Sequence, residues 1–425
     1  MSFRISGPET VSEKILSAHA GRRAHAGDVV VCDVDLVLGT DASAPMAIDY
    51  FEKMGGTRVF DPSRVMFALD HYAPPSSAKT AGFHDRVRAF AREQHIAVHD
   101  VGVGISHQIA VEQGRVVAGD LVIGADSHTV TAGALGAFAT GVGSSDIAAA
   151  MITGKVWLRV PDTIRVELTG KRTDGVTAKD VALALVGQLG AEGANYQTLE
   201  LHGDALGTFT LEERLVISNL AVEAGAKAAI FPHDEVTERY LAGRTARQPI
   251  DMMTDADARY ARAIVVDLAR AKPVVALPHA PENIVALGDA LDTPIQMVFL
   301  GTCAGGRVSD FHAALAVLER GGGRIAPGVQ LVATPASREV YLRLLEDGTL
   351  ARLASIGAVI TTPGCGACCG TSGAIPGDGV NVLSTANRNF KARMGNATAS
   401  IYLASPEACA AAAVTGRITD PASIG

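Results

Sequence analysis

Repeatedly along this chain a short apolar run ends in a loop that carries a reactive side chain, and this recurrence restricts the fold more than any other feature. Val65-Met66-Phe67-Ala68-Leu69 delivers Asp70-His71 into a proline-rich loop, and Leu121-Val122-Ile123-Gly124 delivers Asp126-Ser127-His128. The run around 96–101 leads to Gly104-Ile105-Ser106-His107. Farther on, Gln296-Met297-Val298-Phe299-Leu300 opens into Gly301-Thr302-Cys303, and Ala358-Val359-Ile360-Thr361-Thr362 opens into Pro363-Gly364-Cys365-Gly366-Ala367-Cys368-Cys369-Gly370. Buried strands alternating with helical stretches predict an α/β chain, and in open α/β sheets ligands collect outside the carboxyl ends of the strands. The two cysteine loops are therefore expected to face one crevice.

Two cysteines separated by two residues can turn both sulfurs toward one metal, and the flanking glycines allow the backbone such a loop needs. The spacing alone also serves zinc, iron–sulfur clusters and thiol exchange, though the last requires a βαβ context that is not evident here. Cys303 offers a third thiolate. The six cysteines in 425 residues are too few and too clustered for a secreted disulfide scaffold, so a reducing cytosol is expected. A formal charge of −8 supplies no basic field for nucleic acid, and no run approaches the roughly 20 apolar residues that span a bilayer. The expected partner is a small molecule.

The length predicts two or three cores. Thr10-Val11-Ser12-Glu13 is a capping-box pattern that starts a helix ending near Gly21, and residues 28–38 read as one β-rich run. Helices are expected over 46–54, 84–94 and 147–153, the last capped by Ser144 or Ser145. Asp70 and His71 are adjacent at a strand end and need not bond each other; His99, Cys32 and Cys409 read as structural. The glycine-rich stretch 133–143 lacks a nucleotide fingerprint and reads as tight backbone packing. A boundary falls at 157–161, and three α/β domains are expected at 1–160, 161–283 and 284–425. In the second, a helix over 210–224 places Asn219 and Glu223 on one largely buried face, where a carboxylate needs a partner. Residues 233–262 read as an exposed helix and linker. In the third, the strand near Val380-Asn381-Val382-Leu383 presents Asn387, Arg388 and Arg393, and a guanidinium fork matches a carboxylate. A final helix is delimited by Ser405-Pro406 and Gly416.

Gly124-Ala125-Asp126-Ser127-His128-Thr129, Gly104-Ile105-Ser106-His107-Gln108, the two cysteine loops and Asn387-Arg388-Asn389-Phe390 together resemble the aconitase superfamily, specifically the large subunits of its 3-isopropylmalate dehydratase and homoaconitase group. The resemblance implies an aconitase-like fold and a 4Fe-4S cluster held by Cys303, Cys365 and Cys368 with one iron open. It further implies acid/base and orienting pairs of Asp70 with His71, Asp126 with His107, and Glu223 with His128. His71 would be the proton donor to a departing hydroxyl, Ser127, Arg388 and Arg393 would bind substrate, and Asn219 and Asn387 would neighbour the cluster. The swivelling fourth domain of full-length aconitases, with its serine base, is absent from this sequence and is expected in a separate small subunit. The implied activity is dehydration and rehydration of a hydroxy di- or tricarboxylic acid, with isopropylmalate first and homoaconitate, citramalate- or dimethylmalate-type acids as alternatives. Of other classes, a non-catalytic iron–sulfur sensor and a zinc site remain open readings. The chain departs from the family at Thr302-Cys303-Ala304-Gly305, where Ser-Cys-Thr-Asn is usual, at Cys369, usually apolar, and at Thr40, usually Gln, His or Asn.

Overall fold

The computed structural model describes residues 7–425, which form three main sheets and one ribbon. The first sheet is all parallel, in the order Ala97–His99, Val65–Ala68, Leu36–Thr40, Leu121–Gly124, Phe138–Gly141. Its strands are apolar on both faces because helices cover both, the pattern expected of a parallel sheet. The second, also parallel, runs Ala228–Ile230, Thr198–His202, Thr163–Thr169, Arg262–Asp267. The third has seven strands, with Ser400–Leu403, Asn381–Ser384, Met297–Gly301, Gln330–Thr334 and Val359–Ile360 parallel and Val274–Ala276 and Ile284–Ala286 added antiparallel at one side.

The expected run 28–38 is two strands. Val29–Asp33 alternates exposed and buried residues and pairs antiparallel with Lys155–Arg159, whereas Leu36–Thr40 is wholly buried in the first sheet. The amino-terminal helix Val11–Ala20 has its capping box at Thr10 and Glu13 and a left-handed Gly21 at its end. Three other helices begin earlier than expected, the one placed at 46–54 being Ala44–Lys53. Ser77 caps Ala78–Gln94, and Ser144–Thr153 starts after Gly143, whose N–H donates to Asp146 Oδ2 at 3.0 Å, so neither Ser144 nor Ser145 is the cap. The helix expected over 210–224 ends at Leu220 and tightens into a 3₁₀ turn, Ala221–Ala224.

The sheets meet through close backbone contacts. A Cβ on Gly133 would fall 2.0 Å from the Ala229 carbonyl oxygen, which is why glycine is needed where the 3₁₀ segment Ser127–Leu135 crosses the strand Ala228–Ile230. First and third sheets are joined by Ile105 N–H to Ala336 O (2.9 Å) and Cys365 N–H to Asp70 O (3.0 Å). Residues 233–262 are more than a linker. After the helix Glu235–Leu241 the segment straps across the surface, with Arg247 on Asp120, Arg244 on Glu339 and Thr254 on Glu200. Several of the charges that made it look solvated, Asp234, Arg244, Arg247 and Asp255 among them, have found partners. Among the described residues no helix is long and apolar enough to cross a membrane.

Glu407, in the first turn of the helix Pro406–Thr415, has a buried Oε2 with no hydrogen-bond partner among the described residues, and burial pushes its pKa up to about 7. A carboxyl raised in the folded state makes the native chain bind more protons than the unfolded one between the two pKa values, so stability falls as pH rises from about 4.5 to 7. Glu407→Gln is expected to flatten that interval and to stabilise the chain above it by about 1–2 kcal/mol, less than the full shift because the helix amino terminus favours the anion. Urea unfolding as a function of pH measures it, and an unchanged pH dependence would refute the assignment.

Candidate active site

The carboxyl ends of first-sheet strands supply the histidines. Asp41, just past Leu36–Thr40, is fully buried; its two oxygens accept the His71 and Tyr72 amides, both at 2.9 Å, and its Oδ2 also meets His84 Nε2. This turns the chain sharply after Val65–Ala68, so Asp70 and His71 do share a side: His71 Nδ1 lies 2.8 Å from Asp70 Oδ1. The expectation that neighbours at a strand end need not bond assumed extended backbone there, and the Asp41 turn removes it. Asp70 Oδ2 accepts the Ser106 N–H at 2.8 Å, tying this pair to the loop of His107. Burial opposes the charge on His71, but the Cys365 sulfur and Asp70 carboxylate outweigh it and hold the imidazole well above its ordinary pKa.

Asp126 caps the segment Ser127–Leu135, its Oδ1 accepting the His128 N–H at 2.7 Å. Its Oδ2 faces His71 Nε2 at 3.7 Å. It therefore makes no hydrogen bond to His107, and the Asp126–His107 pair implied by the resemblance is not formed as such. His107 is buried with both ring nitrogens unpartnered among the described residues. Burial, partly opposed by Asp126 and reinforced by the charges of His128, Arg307 and His71, pushes it down to about 3. The third pair is direct: His128 Nε2 lies 2.9 Å from Glu223 Oε1, and both Glu223 oxygens lie 2.9 Å from Arg388 Nε. Burial works against the Glu223 anion, but these two partners outweigh it and lower its pKa.

The third sheet supplies the thiols. Thr302, at φ 74° in the left-handed region that non-glycine residues seldom adopt, carries the chain into Cys303. Cys303 Sγ accepts from Asn219 Nδ2 at 3.1 Å and from Asn387 Nδ2 at 3.6 Å, and Asn387 Nδ2 also donates to Asn219 Oδ1. Cys368 Sγ lies 4.0 Å from Asn387 Oδ1 and 3.5 Å from an Arg393 Nη, while Cys365 Sγ lies 3.9 Å from His71 Nδ1. Burial pushes the Cys303 thiol up to about 11; on Cys368 burial acts the same way, but Arg393 outweighs it and lowers the pKa. All three cysteines line one cavity of about 180 Å³ together with His71, His107, His128, Asp126, Ser127, Asn387, Arg388 and Arg393.

Several contributors escaped the sequence reading. Asp41 obeys the same strand-then-acid pattern as Asp70, which could have found it. Ala42, Ser43 and Thr302 also line the cavity, as do Thr40 and Cys369 from the departures noted above. Cys369 Sγ is occupied by Thr371 Oγ1 at 2.8 Å. Arg307, 1 % exposed, has both Nη atoms unpartnered and only Gln108 Oε1 on its Nε, at 3.2 Å. An Arg393 with an unpartnered Nε among the described residues, two buried thiols and a half-buried third make a donor set suited to a thiolate-bound group of net negative charge, with the buried Arg307 guanidinium behind the cavity wall. An iron–sulfur cluster fits that chemistry.

At Gly305 a Cβ would fall 2.3 Å from Thr385 Cβ and 2.5 Å from its Oγ1, which accepts the Gly301 N–H at 2.9 Å. Thr385 fills the space that a longer residue would occupy in this backbone. Gly305→Ala is expected to lower unfolding free energy by about 1–3 kcal/mol in urea, through displacement of Thr385; an unchanged midpoint would refute this.

A family model described as "Aconitase family (aconitate hydratase)" matches residues 13–416. The 3-isopropylmalate dehydratase large subunit 1 of Methanopyrus kandleri is 44% identical over 414 residues, covering 97% of this chain and 99% of that protein. The protein of the same name from Thermotoga maritima is 44% identical over 416 residues, 97% of this chain and 99% of its own length. That of Pyrococcus furiosus is 42% identical over 423 residues, 98% and 99% respectively. Aconitase X of Thermococcus kodakaraensis, solved in its holo-form, superposes with a TM-score of 0.52 at 15% identity over 89% of this chain and 88% of that one, a likeness of fold.

Proposed function

Because this chain belongs to the aconitase family, we propose that it is the large subunit of a hydro-lyase that removes water from a small hydroxy di- or tricarboxylic acid and adds it back, with 3-isopropylmalate as the leading substrate. The observation that carries this reading is the convergence of Cys303, Cys365 and Cys368 with His71, His107 and His128 on one cavity. In this reading Cys303, Cys365 and Cys368 hold a 4Fe-4S cluster, which when bound supplies a Lewis acid for the hydroxyl oxygen that leaves. We read the chain as three α/β domains, 1–160, 161–283 and 284–425, with the site in the crevice between them.

The chain's own residues would act as follows. His71, held protonated by Asp70, donates its proton to the departing hydroxyl; the Asp126 carboxylate near its Nε2 keeps that edge turned toward the cavity. Glu223 fixes both His128 and Arg388, so the guanidinium is presented with its Nη groups free for a substrate carboxylate. Arg393 and Ser127 add donors, Asn219 and Asn387 steady the Cys303 sulfur, and the neutral His107 offers a hydrogen bond without charge. The base that takes the carbon-bound proton is assigned to a separate small subunit, in keeping with the words "large subunit" in the relatives' names.

The test is anaerobic purification with and without the small subunit, followed by alkene absorbance with isopropylmalate, homocitrate-, citramalate- and dimethylmalate-type acids. Turnover is expected only with both subunits and with isopropylmalate first. Turnover by the isolated chain would overturn the split site, and another preferred acid would overturn the substrate.

A further inference from the structure

Lys179 lies in the helix Ala178–Leu189, packed on the second sheet, and is only 3 % exposed. Burying an ammonium is costly unless it is hydrogen-bonded, and this one spends its donors on two backbone carbonyls of the third sheet: Thr385 O at 2.9 Å and Ala386 O at 2.7 Å. The carboxylate beside it, Asp180, is already taken by Thr177 and by the Val274 N–H. The carbonyls that Lys179 gathers belong to the turn that follows the strand Asn381–Ser384 and leads directly into Asn387 and Arg388.

Every residue of that turn is anchored. Asn387 is held by Asn219, Arg388 by Glu223, and Asn389, fully buried, donates from Nδ2 to Leu277 O at 2.8 Å. Lys179, Asn219 and Glu223 all come from the second sheet's helices, so they act as three clamps from one body on a loop of another. Two of them grip side chains. Lys179 alone grips the main chain, and it does so immediately upstream of the residues that face the cavity.

We infer that Lys179 is a positioning residue for carboxylate recognition: its ammonium fixes the path of residues 385–388 and thereby the place from which Arg388 meets the substrate. This rests on the reading of Arg388 as a carboxylate holder. Lys179 reaches the thiol cavity only through that turn, where Asn387 donates to Cys303 Sγ, because among the described residues it makes no hydrogen bond to any of the three sulfurs.

The test uses the cluster-loaded two-subunit enzyme with Lys179→Met and with Lys179→Gln, which keeps a donor. Iron content is expected to stay at the wild-type level in both. Backbone amides in 385–390 should exchange with deuterium about tenfold faster in Lys179→Met, with the first-sheet strands unchanged, and Lys179→Gln should fall between. KM should rise about tenfold with kcat within about threefold, and in an Arg388→Lys background Lys179→Met should raise KM by less than about threefold, since the two act through one group. Unaltered exchange in 385–390, fully additive KM effects, or loss of iron in both variants would each overturn the inference. Should the wild type process none of the acids, the substrate reading falls, and the exchange and iron measurements still decide the role of Lys179.

Discussion

Replacing Cys365 by serine is expected to strip the chain of iron and abolish turnover while leaving the fold intact. The change is nearly isosteric, and the anchors of its loop are main-chain ones: the Cys365 N–H on Asp70 O and the Gly364 N–H on Pro335 O. What is lost is the soft sulfur donor, and in the proposed reading the two remaining thiols at Cys303 and Cys368 leave a cluster one ligand short. Cys369→Ser is the matched control, because that sulfur is spent on Thr371; it is expected to retain iron. Iron and sulfide analysis of the anaerobic proteins separates the cases. Normal iron in Cys365→Ser, or its loss in Cys369→Ser alone, would show that the wrong sulfur has been assigned.

His71→Ala should behave in the opposite way, keeping its iron and losing rate. Its imidazole is held protonated by the Cys365 sulfur and by a directly bonded carboxylate, Asp70, which is itself locked by the Ser106 amide, whereas the carboxylate bonded to His128, Glu223, is shared with Arg388. Removing a positioned general acid typically costs about 10²–10⁴ in rate. The expected result is therefore a kcat lower by two to four orders of magnitude, on the order of 3–5 kcal/mol in the barrier, with KM changed less than about threefold because His71 is not the carboxylate holder. Dehydration kinetics on the loaded enzyme check it. A nearly wild-type kcat would transfer the acid role elsewhere, with His128 the next candidate.

Much of this site was legible because strand and loop have different chemical grammars. An apolar run such as Leu121–Gly124 cannot continue through Asp126-Ser127-His128, so the polar residues had to emerge at a strand end. Local hydrogen-bond chemistry was equally readable: the capping box at Thr10 and the Ser405 start and Gly416 end of the last helix occur as the residues demand. Partner choice was not. Whether Asp126 serves His107, His128 or His71 depends on a main-chain turn and a cap geometry that spacing does not encode. Lys179 stands in a helix whose sequence looks ordinary, and only the docking of a second sheet reveals that its ammonium is buried. The same holds for strand order, since nothing local says that Ser400–Leu403 slots between Val274–Ala276 and Asn381–Ser384.

That late insertion bears on biosynthesis. The histidine loops lie on a sheet finished by residue 141, whereas the sheet bearing the thiols lacks an interior strand until residues 400–403 have been made. Since domains generally fold as units in the order of their translation, the emerging polypeptide passes through a stage with the first sheet complete and the third still open. A ribosome stalled before the last strand would leave the sheet that carries Cys303, Cys365 and Cys368 without one of its interior strands.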